Sequence, residues 1–349
     1  GSHNGVDNYW GHWDYDSLDV LNAEEGSKSG ERCINMLVAG IRTADRIVTV
    51  SSTYAWEICE KNSFGFGFGL QSELLKRRDD IHGVTNGIDL GEWDPATDEH
   101  IRPNNFSLGD LAGKRACKRA LAEDLGLSPD ISVPLVGFIG RLDRQKGADV
   151  LLDALPSILE SHTHEKVHVV MLGTGDAALE SRIQAAQASF PDCVRGISEF
   201  NVALSHRIVA ASDILVMPSR FEPCGLNQMF AKRYGTVPVV HSTGGLSDTV
   251  QDFNQLTCTG TGWTFKPCSP EALLQSVTLA LTVLAKGSEE EGFGRNNKWQ
   301  QLVKNCMESE HGWPNAAAQY EMLMQWTQMT QTHHKSNKVV TRYQSSYSN

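Results

Sequence analysis

From about residue 130 onward, short apolar runs alternate with longer amphipathic stretches. Val133–Ile139 is such a run, and the residues after it place Leu151, Leu155, Ile158 and Leu159 on one helical face. Val167–Leu172 repeats the pattern and ends in Gly173-Thr174-Gly175-Asp176, followed by a helix with Leu179, Ile183 and Ala186 in register. Ile214–Met217, a helix over Gly225–Tyr234, Val237–His241 and a turn at Thr243-Gly244-Gly245 complete the series. Strands that are apolar throughout must be buried on both faces, and amphipathic helices between them supply the cover. This pattern predicts a complete α/β domain built on a parallel sheet.

The first 90 residues read differently. A helix is predicted over roughly Glu31–Thr43, a strand over Arg46–Val50 and a second helix near Tyr54–Lys61, with Val84-Thr85-Asn86-Gly87-Ile88-Asp89 closing the region. That is about one and a half α/β units, too little for a sheet buried on both faces, so it reads as the end of a domain that starts elsewhere. Residues 295–329 carry helical periodicity through Trp299, Leu302, Val303, Tyr320, Leu323 and Met324. Thr330–Asn349 is polar and is expected to lack fixed structure.

Composition narrows the function classes. A formal charge of −11 argues against nucleic acid and gives no attraction to anionic lipid. No apolar stretch approaches the length of a membrane span, and no signal peptide opens the chain. The eight cysteines are scattered without a CxxC pair and read as free thiols in a reducing compartment. His162, His164 and His168 come near metal-ligand spacing but lie in a polar connector leading into a strand. Asp14 and Asp16 form a DxD too short to specify a metal site, and no metal is expected.

Two segments carry the candidate chemistry, each where a buried strand hands over to a helix, the place open α/β sheets put their ligands. Gly140-Arg141-Leu142-Asp143-Arg144-Gln145-Lys146-Gly147 follows the first run, and Ser219-Arg220-Phe221-Glu222-Pro223-Cys224-Gly225-Leu226-Asn227-Gln228 follows Ile214–Met217. Arg141 and Lys146 could stabilise charge on a leaving diphosphate, or they could be a solvated basic loop. Glu222 could hold sugar hydroxyls or offset positive charge on an anomeric carbon, or it could cap the helix. The amides near Gly225 and Leu226 suit a phosphate. Thr243 and Gly244 offer a second turn where backbone could approach a ligand. Cys224 reads as packing, and Gly65-Phe66-Gly67-Phe68-Gly69, with no strand before it, as a loop rather than a phosphate cradle.

Those segments, with Ser205-His206-Arg207-Ile208 and Tyr234-Gly235-Thr236-Val237-Pro238-Val239-Val240, resemble the bacterial glycogen synthase and plant starch synthase family. The likeness runs from about Asn35 to Trp326. Tyr54-Ala55-Trp56-Glu57, Val84–Pro95 and the Gly225–Gln228 form bring it nearest the soluble class I starch synthases. The resemblance implies an α/β, GT-B glycosyltransferase fold: two Rossmann-like domains with parallel sheets facing across a cleft, the N-terminal one incomplete here. The boundaries it implies are 1–84 for the remnant of the acceptor-side domain, 85–305 for the nucleotide-sugar domain, 306–329 for helices packing back toward the N-terminal domain, and 330–349 for a disordered tail.

The implied reaction moves glucose from ADP-glucose to the non-reducing end of an α-1,4-glucan, with retention and without metal or other cofactor. Carried over residue by residue, Arg141 and Lys146 bind the diphosphate, and Glu222 is the essential carboxylate on the glucose side. The backbone at Gly225 and Leu226 meets the phosphate. Asn227 stands where relatives often have Thr, at the edge of the ribose and phosphate site. Phe200 matches an aromatic that stacks on adenine, and Asn86 matches a residue that reaches the transferred glucose. Phe230 stands where many such enzymes carry a second Glu, and with Asn227 it is expected near the ribose and base.

The family's Lys-x-Gly-Gly-Leu segment and its N-domain Asp and His are absent, so this stretch alone is expected to bind ADP weakly and turn over little. Amylopectin, glycogen or malto-oligosaccharides would be acceptors, other starch enzymes possible partners, and a plastid the location, with a transit peptide upstream. A non-catalytic nucleotide- or glucan-binding relative, or a UDP-glucose user, are the alternatives.

Overall fold

The computed structural model describes residues 35–60, 66–160, 166–289 and 297–345. Asp14, Asp16, His162, His164 and Gly65 lie outside the described residues. The chain divides into two units, Gly1–Thr85 with Ala316–Asn349, and Asn86–Asn315.

In the first unit, helix α1 (Met36–Thr43), strand β1 (Ile47–Thr49), helices α2 (Ser52–Glu57) and α3 (Gln71–Lys76) and strand β2 (Ile81–Gly83) follow in order. β1 and β2 pair in parallel with Ile47 opposite Ile81. Val38, Ile41, Ile58, Cys59, Leu70, Leu74 and Ile81 form the core. A two-stranded sheet cannot enclose all of its apolar surface, and Met36, Leu37, Trp56 and Phe68 are exposed. Arg77 bonds the carbonyls of Ile41 and Ala44 and so satisfies the end of α1.

The second unit holds the parallel sheet. Its elements are α4 (Ala112–Asp124), β3 (Leu135–Ile139), α5 (Ala148–Leu159), β4 (His168–Leu172), α6 (Ala177–Ser189), β5 (Val194–Ile197), α7 (Val202–Ala211), β6 (Ile214–Met217), α8 (Asn227–Arg233), β7 (Val237–His241), α9 (Gly244–Thr249), β8 (Trp263–Phe265), α10 (Pro270–Glu289) and α11 (Lys298–Met307). The strand order is β5-β4-β3-β6-β7-β8. All five pairings are parallel. β4, β6 and β7 are buried at every position, as unbroken apolar runs require when helices cover both faces. The edge strands β5 and β8 carry Arg195 and Thr264 among their few residues and gave no periodic signal in the sequence. α8 is shorter than the predicted helix, because Gly225, Leu226 and Tyr234 stay outside it.

The order matters for function. From β3 the chain steps outward through β4 and β5, then returns along α7 to place β6 on the other side of β3. The loops leaving β3 and β6 therefore diverge from a shared crevice, the topological switch point of an open sheet. The far end of this strand pair is locked. The Leu135 amide donates to Asp213 Oδ2 at 2.8 Å, and Lys118 Nζ donates to the same oxygen at 2.7 Å.

A buried network fixes the segment before α4. His206 of α7 and the Tyr234 hydroxyl both donate to Asp98 Oδ2, at 2.9 and 2.7 Å. The Trp93 ring lies between His206 and Phe230, its centroid 3.7 Å from each. Phe230 thus stacks on Trp93. The ring supplies stacking area inside the unit.

Helix α12 runs from Trp313 to Ser345. Its last stretch corrects the expectation of an unstructured tail from Thr330: adding residues to a formed helix costs far less than starting one, so polar residues extend it. In the first unit Trp326 packs edge-on to His82 and under the Arg46 guanidinium at 4.3 Å. Among the described residues no helix is long and apolar enough to cross a membrane.

His168 sits buried in β4, and burial pushes its imidazole down to about 4. The folded chain keeps it neutral where the unfolded chain takes up a proton near pH 6.5, so stability falls as pH drops from there to about 4. Urea unfolding of His168→Leu across that window should show a shallower loss, by about 1–2 kcal/mol at the acid end.

Candidate active site

The loop after β3 is shaped by its last residue. Gly147 adopts φ +70°, and a Cβ there would sit 2.0 Å from the Pro218 carbonyl oxygen. Only glycine lets the two loops approach this closely in that conformation. Within the loop, Asp143 accepts the Lys146 amide at 2.9 Å and pairs with Arg141 at 3.0 Å. One carboxylate thus fixes the backbone under Lys146 and holds Arg141 nearby.

The loop after β6 brings Glu222 to Lys146. Lys146 Nζ and Glu222 Oε2 are 2.5 Å apart, and the Ser219 hydroxyl donates to the same Oε2 at 3.1 Å. His241 in turn contacts the Ser219 carbonyl through Nδ1 at 2.7 Å. Burial lowers the His241 proton affinity, so the ring is neutral near pH 7 and its Nδ1–H donates. Glu222 is buried, and Lys146 and Ser219 both hold the same carboxylate oxygen.

Around this pair lies a cleft of about 440 Å³. Its lining includes Asn86, Lys146, Glu222, Gly225, Leu226 and Asn227. The structure therefore gathers six of the sequence-predicted residues in one place. Asn227 also donates its side-chain amide to the last carbonyl of β3, Ile139 O, at 2.8 Å. Gln228 Nε2 bonds the carbonyls of Cys224 and Gly225 and the Thr249 hydroxyl, holding the turn open at the start of α8. The Asn86 backbone bonds the Cys224 sulfur, and burial pushes that thiol up, as an inert packing residue requires.

The other candidates lie elsewhere. Arg141 is two-thirds exposed beside the cleft, in its ion pair with Asp143. Phe200 projects from the loop before α7 with 86% of its surface exposed. Neither lines the cleft. Thr243 and Gly244 are also outside the lining. The close backbone approach expected there is real, but its partner is the chain itself. A Cβ on Gly244 would meet Glu222 O at 2.0 Å, and the Gly245 amide donates to that carbonyl at 2.9 Å. This turn holds Glu222 from behind.

The supporting residues Ser219, Asp143 and His241 were not singled out from sequence. Their partners are set by the adjacency of strands, and no spacing signals it. The only group among the described residues whose atoms come within metal-ligating distance of one another is Asp98, His100 and His206. There Asp98 already accepts from Tyr234, His206 and the His100 amide. The seven described cysteines are free.

The chain matches known proteins over most of its length. Residues 129–298 match the family model described as glycosyl transferases group 1, and residues 3–76 match the starch synthase catalytic domain. The chain is 46% identical over 297 residues to soluble starch synthase 1 of Solanum tuberosum, covering 84% of this chain and 44% of that protein. It is 44% identical over 290 residues to a glycogen synthase of Anaeromyxobacter dehalogenans, covering 83% of this chain and 57% of that one. The solved catalytic domain of starch synthase IV from Arabidopsis thaliana, bound to ADP and acarbose, superposes with a TM-score of 0.75 at 35% identity, covering 86% of this chain and 59% of that one. The chain spans about half the length of the curated relatives it matches.

Gly147→Ala should lower stability by about 2–4 kcal/mol, because it combines a disfavoured φ with a backbone collision. Urea denaturation checks this, with Gly109→Ala, whose Cβ meets nothing nearer than 3.9 Å, as the control.

Proposed function

The chain belongs to the glycogen/starch synthase family of GT-B glycosyltransferases, and on that premise we propose that it carries the donor site of a starch synthase, transferring glucose from ADP-glucose to the non-reducing end of an α-1,4-glucan with retention. The observation that carries the reading is the convergence of Lys146 and Glu222 in one cleft at the switch point of the sheet. Breaking the bond between glucose and diphosphate builds negative charge on the β-phosphate and positive charge on the anomeric carbon. A cation and a carboxylate held a hydrogen bond apart can answer both charges without reorganising at the moment of reaction.

In this reading Lys146 exchanges part of its contact with Glu222 for the β-phosphate, and Arg141 swings from Asp143 to join it. The backbone at Gly225 and Leu226 meets the phosphates, and Asn227 borders the ribose. The exposed Phe200 ring stacks on adenine, burying surface that is otherwise wet. Asn86, on the cleft wall, reaches the transferred glucose. Thr243 and Gly244 act at one remove, by fixing the Glu222 main chain. The two cations do the work a metal does in other transferases, so the reaction is proposed to need none.

The acceptor is proposed to be amylopectin, glycogen or malto-oligosaccharide. The full protein is proposed to work in a plastid beside other starch enzymes; its relatives from Solanum tuberosum and Arabidopsis thaliana are named chloroplastic/amyloplastic.

Calorimetric titration of this chain with ADP, with UDP as control and no metal added, tests the donor site. ADP should bind in preference to UDP, and Lys146→Ala should weaken it about tenfold or more. In a protein of full family length, Glu222→Gln should cut glucan elongation at least about a hundredfold while leaving ADP affinity within about threefold. Near-normal elongation by that variant would remove the role given to Glu222.

A further inference from the structure

The ion pair between Lys146 and Glu222 joins two loops that no strand ladder connects, so something else must hold the loops in register. Arg220, between Ser219 and Glu222 in the second loop, reaches back across the crevice. Its guanidinium makes a forked pair with Asp149, NH1 to Oδ1 at 2.8 Å and NH2 to Oδ2 at 2.6 Å. NH1 also donates to the Arg144 carbonyl at 2.7 Å. The Arg220 main-chain amide donates to Gln145 O at 2.8 Å, and Gln145 Nε2 returns a bond to Phe221 O at 3.3 Å. Asp149 stands in the first turn of α5, two residues after the Gly147 contact with Pro218. Every residue of the first loop from Arg144 to Gly147 is thereby tied to the second loop, through side chain or main chain.

We propose that Arg220 and Asp149 are a positioning pair for the donor site, setting where Lys146 stands relative to Glu222 and hence how a nucleoside diphosphate is told from a monophosphate. The inference rests on the reading of the site as a diphosphate site. The fork geometry is the reason an arginine is needed: two parallel bonds fix orientation as well as distance, whereas a lysine at the same place would fix only distance. Arg220 holds the Asp149 carboxyl below the usual carboxylate range, so the pair remains charged through neutral pH. Neither side chain lines the cleft, so neither is assigned contact with the nucleotide.

A merely structural pair and a positioning pair differ in what they do to two nucleotides. Loss of overall stability would weaken ADP and AMP alike, whereas a displaced Lys146 loop weakens the ligand that carries a β-phosphate. Calorimetric titration of this chain with ADP and with AMP reads the ratio, with thermal midpoints measured alongside. Arg220→Met should lower ADP affinity about tenfold and leave AMP affinity within about twofold. Arg220→Lys should restore part of the ratio. Asp149→Asn should shift it in the same direction by less, and it settles the question if Arg220→Met does not fold. Variants that keep the wild-type ratio, or that weaken both nucleotides in parallel, overturn the positioning role while leaving the donor site intact. A wild-type chain without any preference for ADP over AMP overturns the diphosphate reading itself, and this inference with it.

Discussion

Val136 and Gly137 of β3 lie opposite Ile214 and Leu215 of β6, in a parallel ladder between strands far apart in sequence. Parallel strands need long crossovers, and here the crossovers run in opposite directions from this one pair. That reversal leaves a crevice at the carboxyl ends of β3 and β6 that no connection covers. The pair is held at its amino end by Asp213, which takes both the Leu135 amide and the Lys118 ammonium. At its carboxyl end, Lys146 and Glu222 face each other. One end of the ladder is locked by a charge cluster and the other exposes one for use.

The same economy runs through the loops. Glycine at 147 and the Gly244-Gly245 turn allow backbones to touch where side chains would collide, one in front of the cleft and one behind Glu222. The Ser219 hydroxyl holds the Glu222 carboxylate by one oxygen, His241 holds the Ser219 carbonyl, and Asp143 fixes the main chain of Lys146. None of these groups needs to touch a substrate. They reduce the motion of those that would, which is what a preorganised electrostatic site requires.

Residues away from the crevice show the opposite use of aromatic and charged groups. Trp93 packs between His206 and Phe230, and Asp98 accepts from His206 Nδ1 and the Tyr234 hydroxyl, while the buried His206 Nε2 finds no partner. The Ser205-His206-Arg207 motif therefore contributes mainly through burial of His206, while Arg207 pairs with Asp124 on α4. In the first unit, ion pairs of Arg42 with Glu73 and of Arg46 with Asp80 border a small apolar core. These pairs are largely buried, with Glu73 itself buried, and the packed side chains beside them supply the apolar share of stability.

The sequence by itself determined the class of the fold and the positions of the strands that matter. β6 and β7 coincide with their apolar runs, because a strand buried on both faces is apolar along most of its length, with the buried His241 at the end of β7 as an exception. It also singled out Lys146, Glu222 and Gly225, since special chemistry at a strand-to-helix turn is visible as local pattern, whereas Asn227 came from the family resemblance. It could not find β5 and β8, which are too short to show a period, nor the stack of Phe230 on Trp93, a partner remote along the chain. Only the tertiary structure decided that β3 and β6 are neighbours, that the Thr243-Gly244 turn serves the Glu222 main chain, and that Arg220 reaches Asp149. Local pattern records which face of an element is buried; which element lies against it depends on the order of strands in the sheet, and that order is fixed by packing over the whole unit.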